Sequence, residues 1–96
     1  MARRLAWDEE KNRANRRKHR LGFETAVLVF DDPNAIAFQD REIEGEQRWQ
    51  TIGWAHTAIV VVAHTIGEED GDEVIRIIPA RKATPSERTL YEEEID

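Results

Sequence analysis

Five side chains scattered through the chain, Lys18, His19, Arg48, Arg76 and Arg81, are of types that can handle a phosphodiester. Guanidinium and ammonium groups stabilise the charge that develops on a transferring phosphoryl group. An imidazole titrates where it can both take and return a proton. RNA carries its own nucleophile, the 2′-hydroxyl, so such a set can cleave it without a metal ion. The protein has to orient the sugar, move two protons and hold the negative charge. Glu46, Glu87, Arg88 and Tyr91 are candidate neighbours. Other chemistries find little material. With no cysteine there is no thiolate metal site, disulfide or thiol nucleophile. His19, His56 and His64 form no i, i+4 pair, and Asp70-Gly71-Asp72 lacks the remaining ligand positions of a calcium loop. No metal or cofactor is implied.

Each candidate also has a purely structural reading. Arg81 can bond a helix carboxylate as readily as a phosphate, since bidentate guanidinium geometry suits both. Arg76 alternates within an apolar strand, as a surface residue or a site cation. Strand parity puts Arg76 and Arg81 on opposite faces unless a bulge at Pro79 resets the count. Arg48 can pair with Glu44 or Glu46, and His19 can serve the last turn of its helix. Tyr91 lies on a packing stripe, and His64, within an apolar run, reads as a core histidine.

The elements that must position these groups follow from periodicity. Asp8 can cap a first helix with Glu9 and Glu10 in its opening turn. Its packing stripe at helical spacing is Trp7, Lys11, Ala14, Lys18 and Leu21, the lysines lying along apolar surface by their stems. Asp8, Asn12, Asn15 and His19 make a polar edge, and Arg13, Arg16, Arg17 and Arg20 an arginine face for RNA or partner binding. Gly22 fits the stop of that helix. Phe23, Ala26, Val27 and Phe30 recur as a short second helix, broken at Asp31-Asp32-Pro33-Asn34. Strands are expected over 35–40, 47–54, 57–66 and 73–81, with a charged turn at 42–46 and an acidic hairpin loop at 67–72. Arg48, Gln50, Ile52 and Trp54 share one side of the second strand. Thr84-Pro85-Ser86-Glu87 is a capping box with proline at the first helical position, opening a last helix that packs through Leu90, Tyr91 and Ile95. The reading is one α+β domain over residues 1–96: two N-terminal helices, a four-stranded antiparallel sheet and a C-terminal helix, with the helices on one side.

At 96 residues the chain holds one modest core. The net charge of −6 conceals segregation: residues 1–20 carry eight basic against three acidic side chains, net +5, and the other 76 carry six against seventeen, net −11. Local potential, not the total, steers a polyanion. No apolar run reaches the ~18 residues a membrane helix needs and Met1-Ala2-Arg3-Arg4 opens no signal peptide, so the expected location is the cytoplasm.

Order and spacing across the chain also resemble a known family. Trp7-Asp8 with Lys11 and Asn12, then Asn15 and Lys18-His19, lead into Phe23-Glu24, Val29-Phe30 and Asp31-Asp32-Pro33. Gly45-Glu46 with Arg48, Ile52-Gly53 and Val60-Val61-Val62 follow, and the most specific stretch is Ile75 to Arg81, before Ala83-Thr84, Glu87-Arg88 and Tyr91-Glu92. The sequence resembles the BrnT toxins of type II toxin–antitoxin systems. The resemblance implies a RelE-like fold and a ribonuclease that arrests translation without a metal. It also implies a BrnA-like ribbon-helix-helix antitoxin, through whose complex alone operator DNA is bound. Lys18, His19, Arg48, Arg76, Arg81 and Tyr91 carry over as site residues. Two positions depart from the pattern: Arg20 stands where glycine is expected, and Pro79 replaces a small residue. The competing class is a non-catalytic module that only docks an antitoxin, favoured by the −11 of residues 21–96.

Overall fold

The computed structural model describes residues 2–95. The order is β1 (Arg3–Ala6), α1 (Glu9–His19), α2 (Phe23–Ala26), a 3-10 turn (Val27–Asp31), β2 (Ile36–Ile43), β3 (Glu46–Ala55), β4 (Ala58–Glu69), β5 (Asp72–Lys82) and α3 (Pro85–Ile95). The sheet has five strands in the order β1-β5-β4-β3-β2. It is mixed, since β1 runs parallel to β5 while the other pairs are antiparallel. The expected four-stranded antiparallel sheet therefore gains an edge strand. Arg3–Ala6 has four residues, two of them arginine and none buried, so nothing in its own pattern marks a strand. It is held by its neighbour: Glu73 N donates to Ala2 O at 3.0 Å, and Arg4 pairs with Glu69 and Asp72.

The hairpins are tighter than their composition suggests. Glu44-Gly45 and Asp70-Gly71 are two-residue turns with φ positive at both positions (51° and 82°, 52° and 83°), the mirror-image geometry that matches strand twist. Strands β4 and β5 consequently pair out to Glu69 and Asp72, where a six-residue acidic loop was expected.

Helix α1 starts as read, with Asp8 Oδ1 accepting from Glu10 N at 2.8 Å. Its buried side chains are Asn12 and Asn15, while Lys11, Ala14 and Lys18 are exposed. The polar edge, not the lysine stripe, faces the protein. The reason lies in β5, whose outer edge beyond Arg76 has no strand partner. The Asn15 amide replaces one: Nδ2 donates to Ala80 O at 2.8 Å and Oδ1 accepts from Ala80 N at 3.1 Å. Nδ2 also reaches Leu21 O, and Asn12 Oδ1 takes Phe23 N at 2.8 Å. A buried backbone group needs a partner, and two asparagines provide it. The helix ends at Arg20 (φ 55°), whose N–H meets Arg16 O, so the left-handed position is one residue before Leu21 rather than at Gly22. The second helix is a single α turn continued as 3-10.

Two cores lie on the two sides of the sheet. Val60, Val62, Ile75, Ile77 and Ala80 pack against Leu21, Phe23, Ala26 and Val29. Ile52, Ile59 and Val61 pack against Tyr91 of α3. Alternation along β4 puts these sets on opposite faces, so the helices do not share one side as expected. Gly53 allows the 3-10 turn to press on β3, because a Cβ there would lie 3.2 Å from Ala35 Cβ, Asp32 Oδ2 and Val29 Cβ. Asp32 thereby accepts from Trp54 N at 2.9 Å and from the Tyr91 hydroxyl at 2.6 Å.

Candidate functional site

Helix α3 covers only one end of its face of the sheet, over Ile52, Ile59 and Val61. The rest of that face is built from the inward parity of three strands. Val61 faces Arg81 and Ile52; Ala63 faces Gln50; Thr65 faces Arg76, with Arg48 next to it by the register of Trp49 and His64. Between Ile77 and Ala80 one residue of β4 opposes two of β5, Ile78 and Pro79. That is the bulge on which the parity question turned, and it returns Arg81 to the face that Arg76 occupies. Proline suits the place because it brings no N–H to be satisfied. Rows of side chains recur every two residues, about 6.7 Å, so the Arg81 row and the Arg48–Arg76 row stand about 13 Å apart along the strands.

At the far row a depression of ≈ 270 Å³ is lined by Asp8, Lys11, Glu46, Arg48, Thr65 and Arg76 together with Ile77 and Ile78. Among the described residues Lys11, Arg48 and Arg76 form no salt bridge, so Arg48 pairs with neither Glu44 nor Glu46. The Nε of Arg48 is buried without a hydrogen-bond partner. Asp8 is engaged as the helix cap, whereas the Glu46 carboxylate, unlike its strand-paired backbone, accepts no hydrogen bond among the described residues. Two guanidinium groups and an ammonium thus face a shared space with one free carboxylate at its rim.

Nearer α3, His19, Gln50, Pro79 and Arg81 line a smaller depression, and Lys18, His19, Arg20, Arg81 and Lys82 line an adjoining one. Arg81 itself is engaged: Nη1 and Nη2 donate to the two oxygens of Glu87 at 2.6 and 2.9 Å. The Arg81 hydrogen bonds, offset in part by burial and aided by Thr84, hold the Glu87 carboxyl down at about 2, and the same pairing pushes Arg81 up. Glu87 also closes the capping box, accepting from Thr84 N at 2.9 Å while its own N–H meets Thr84 Oγ1 at 3.3 Å.

The structure therefore brings Arg48 and Arg76 together and, separately, Lys18, His19 and Arg81. Tyr91 stands apart from both. It is 1% exposed in the core beneath α3, and burial, with the bond to Asp32, pushes its hydroxyl up to about 12. Burial works to raise Asp32, but the bonds from Tyr91, Trp54 N and Asn34 N outweigh it and keep the carboxyl below its ordinary range. His64 is the core histidine its setting indicated: Nε2 meets Thr51 Oγ1 at 2.8 Å, its ring packs edge-on against Phe30, and burial lowers its pKa. Of the helix arginines, Arg20 reaches the second depression, Arg16 pairs with Glu24 at 3.6 Å, and Arg13 and Arg17 are exposed. Sequence reasoning placed Lys11 on a packing stripe and passed over Gln50, Thr65 and Lys82. Gln50 and Thr65 were open to strand parity; Lys11 was not, because the buried side of α1 is set by β5. Among the described residues no three His, Asp or Glu side chains are grouped to hold a metal ion, and no helix is long and apolar enough to cross a membrane.

A mixed five-stranded sheet with one half-covered face, rimmed by cations unpaired among the described residues, defines an α+β protein with a cationic open face. The sequence model of the BrnT ribonuclease toxins of type II toxin–antitoxin systems matches residues 7–87, and the chain belongs to that family. Family membership carries with it an RNA substrate and an antitoxin partner. No individually curated protein matches the chain.

Proposed function

We propose that this protein is a metal-independent endoribonuclease whose scissile phosphate binds at the Lys11–Arg48–Arg76 depression. The observation that carries the reading is the pair of guanidinium groups, Arg48 and Arg76, on the two strands that flank Thr65 and lining one depression without carboxylate partners, one with a buried and unsatisfied Nε. A phosphate there satisfies that donor and spreads its charge over three cations. The 2′-hydroxyl attacks the adjacent phosphorus, the bond to the 5′-oxygen breaks, and the products are a 2′,3′-cyclic phosphate and a 5′-hydroxyl. Glu46, which lines the depression and is acceptor-only when ionised, takes the 2′-proton in this reading, and Lys11 returns one to the leaving oxygen. Lys18, His19 and Arg81 then hold the flanking backbone about two rows away. In the cytoplasm such cleavage arrests translation, and a BrnA-like ribbon-helix-helix antitoxin neutralises it and links the complex to operator DNA.

Incubation of the purified protein with RNA in EDTA tests this. Cleavage is expected from the wild type and from Tyr91→Phe, with the rate reduced about 10²-fold or more in Arg48→Ala and Arg76→Ala. Equal rates in all four reject the site. One observation favours the second reading, a non-catalytic antitoxin-docking module: Arg81 is already neutralised by Glu87. Growth arrest on expression without antitoxin separates the two.

A further inference from the structure

Where the Arg81 depressions end, another begins. Lys82 lines both the depression of Lys18, His19 and Arg81 and a pocket of ≈ 180 Å³ closed by Trp54, Thr57, Ile59, Ala83 and Arg88. Trp54 is 44% exposed and belongs to neither core cluster. Its backbone is fixed by the bond to Asp32, and it lies on the face that carries Ile52, Gln50 and Arg48. Lys82 and Arg88 form no salt bridge among the described residues. An exposed indole anchored through its backbone, in one pocket with two cations unpaired among the described residues, has a clear chemical complement. The ring stacks on a flat aromatic, and the cations take the phosphates on either side of it.

We infer that Trp54, with Lys82 and Arg88, forms a nucleobase-stacking subsite for single-stranded RNA at the α3 end of the cationic track. The inference rests on the proposed reading of the track as an RNA path. It assigns this pocket to a base that lies away from the cleaved bond, beyond the Arg81 row. Stacking of this kind accepts any base, so the subsite sets the length of RNA that binds and not its sequence.

The test uses the whole protein and 2′-O-methyl oligonucleotides, which cannot be cleaved, with tryptophan emission and fluorescence anisotropy as readouts. Wild type is expected to bind an eight-nucleotide strand with quenched emission. Trp54→Ala is expected to bind it on the order of tenfold more weakly and Trp54→Phe to retain most of the affinity. Moving one abasic residue along the strand supplies a double-mutant cycle: at one position the lost base costs the wild type the same tenfold and costs Trp54→Ala nothing. Wild-type binding that Trp54→Ala matches on every oligonucleotide overturns the subsite and leaves the track standing. Unchanged RNA affinity with lost antitoxin binding does the same and assigns the indole to a protein interface. No binding by wild type overturns the RNA track itself, and the subsite with it.

Discussion

Asn15 shows how much one buried amide decides. Its side chain presents a donor and an acceptor side by side, the same pattern that a neighbouring strand would offer to Ala80. Remove it and the Ala80 N–H and two buried carbonyls lose their partner at once, at a cost of ~1–3 kcal/mol for each group left unsatisfied. Asn15→Ala is expected to lower stability by roughly 3–5 kcal/mol, a drop of about 15–30 °C in Tm for a chain of this size. Asn15→Asp is the sharper substitution, because it keeps the shape and loses the donor facing Ala80 O and Leu21 O. It should destabilise by a similar amount, and thermal unfolding of both variants checks the assignment. If Asn15→Asp melts with the wild type, α1 is held by packing and not by this mimicry. The site depends on it, since α1 brings Lys11, Lys18 and His19 to the face.

On the scale of elements, α3 is tied to the sheet by few groups: Tyr91 in its core cluster, the Tyr91–Asp32 bond, and the Arg81–Glu87 pair. The last is pH-sensitive in a defined sense. Glu87 is held at about 2, below its ordinary 4.5, so its contribution to the fold is complete above about pH 4.5 and is lost as pH falls towards 2. Because the Arg81 side chain is 39% exposed, screening reduces the pair's worth to about 1–2 kcal/mol. Glu87→Gln is therefore expected to unfold about 1–2 kcal/mol more easily at pH 7 and to show a shallower loss of stability between pH 4.5 and 2.5. Denaturant midpoints measured across that range decide it; parallel curves for both proteins reject the pair as a clamp. The same substitution releases Arg81 from its carboxylate. Tighter RNA binding by this variant at pH 7 would show that α3 competes with RNA for that guanidinium.

For the molecule as a whole, segregation of charge lets an acidic protein handle a polyanion. The cationic groups of α1, β3 and β5 converge on one face, while the acidic Glu68–Asp72 hairpin lies at the end of β4 and β5 away from α3. A single strand contacting four or five phosphates releases about 0.7 counterion per contact. The log of RNA affinity is thus expected to fall against log salt with a slope near −3. A slope close to zero would mean the track does not carry the binding. The exposed Arg13 and Arg17, with Arg16, lie outside the depressions, and their reversal to Glu should weaken antitoxin binding while leaving RNA cleavage within about threefold. Titration against the partner alongside a cleavage assay checks both.

What the amino-acid sequence determined alone is what short-range physics decides. The Asp8 cap, the Thr84–Glu87 capping box, the shared face of Arg48, Gln50, Ile52 and Trp54, and the core setting of His64 all follow from neighbours within a few residues or from a period of two. Even the bulge at Pro79 was readable as an option, because proline cannot join the ladder. Tertiary structure alone decided the rest. Strand β1 exists because β5 offers an open edge, and α1 turns its asparagines inward because that edge continues past β1. Arg81 went to a helix carboxylate while Arg48 stayed free, although both are strand arginines near glutamates. The Arg81–Glu87 pair spans six residues and was open to the sequence as one alternative; which alternative held depends on where α3 lands, and the Tyr91–Asp32 bond that fixes α3 spans 59 positions, which no local pattern encodes.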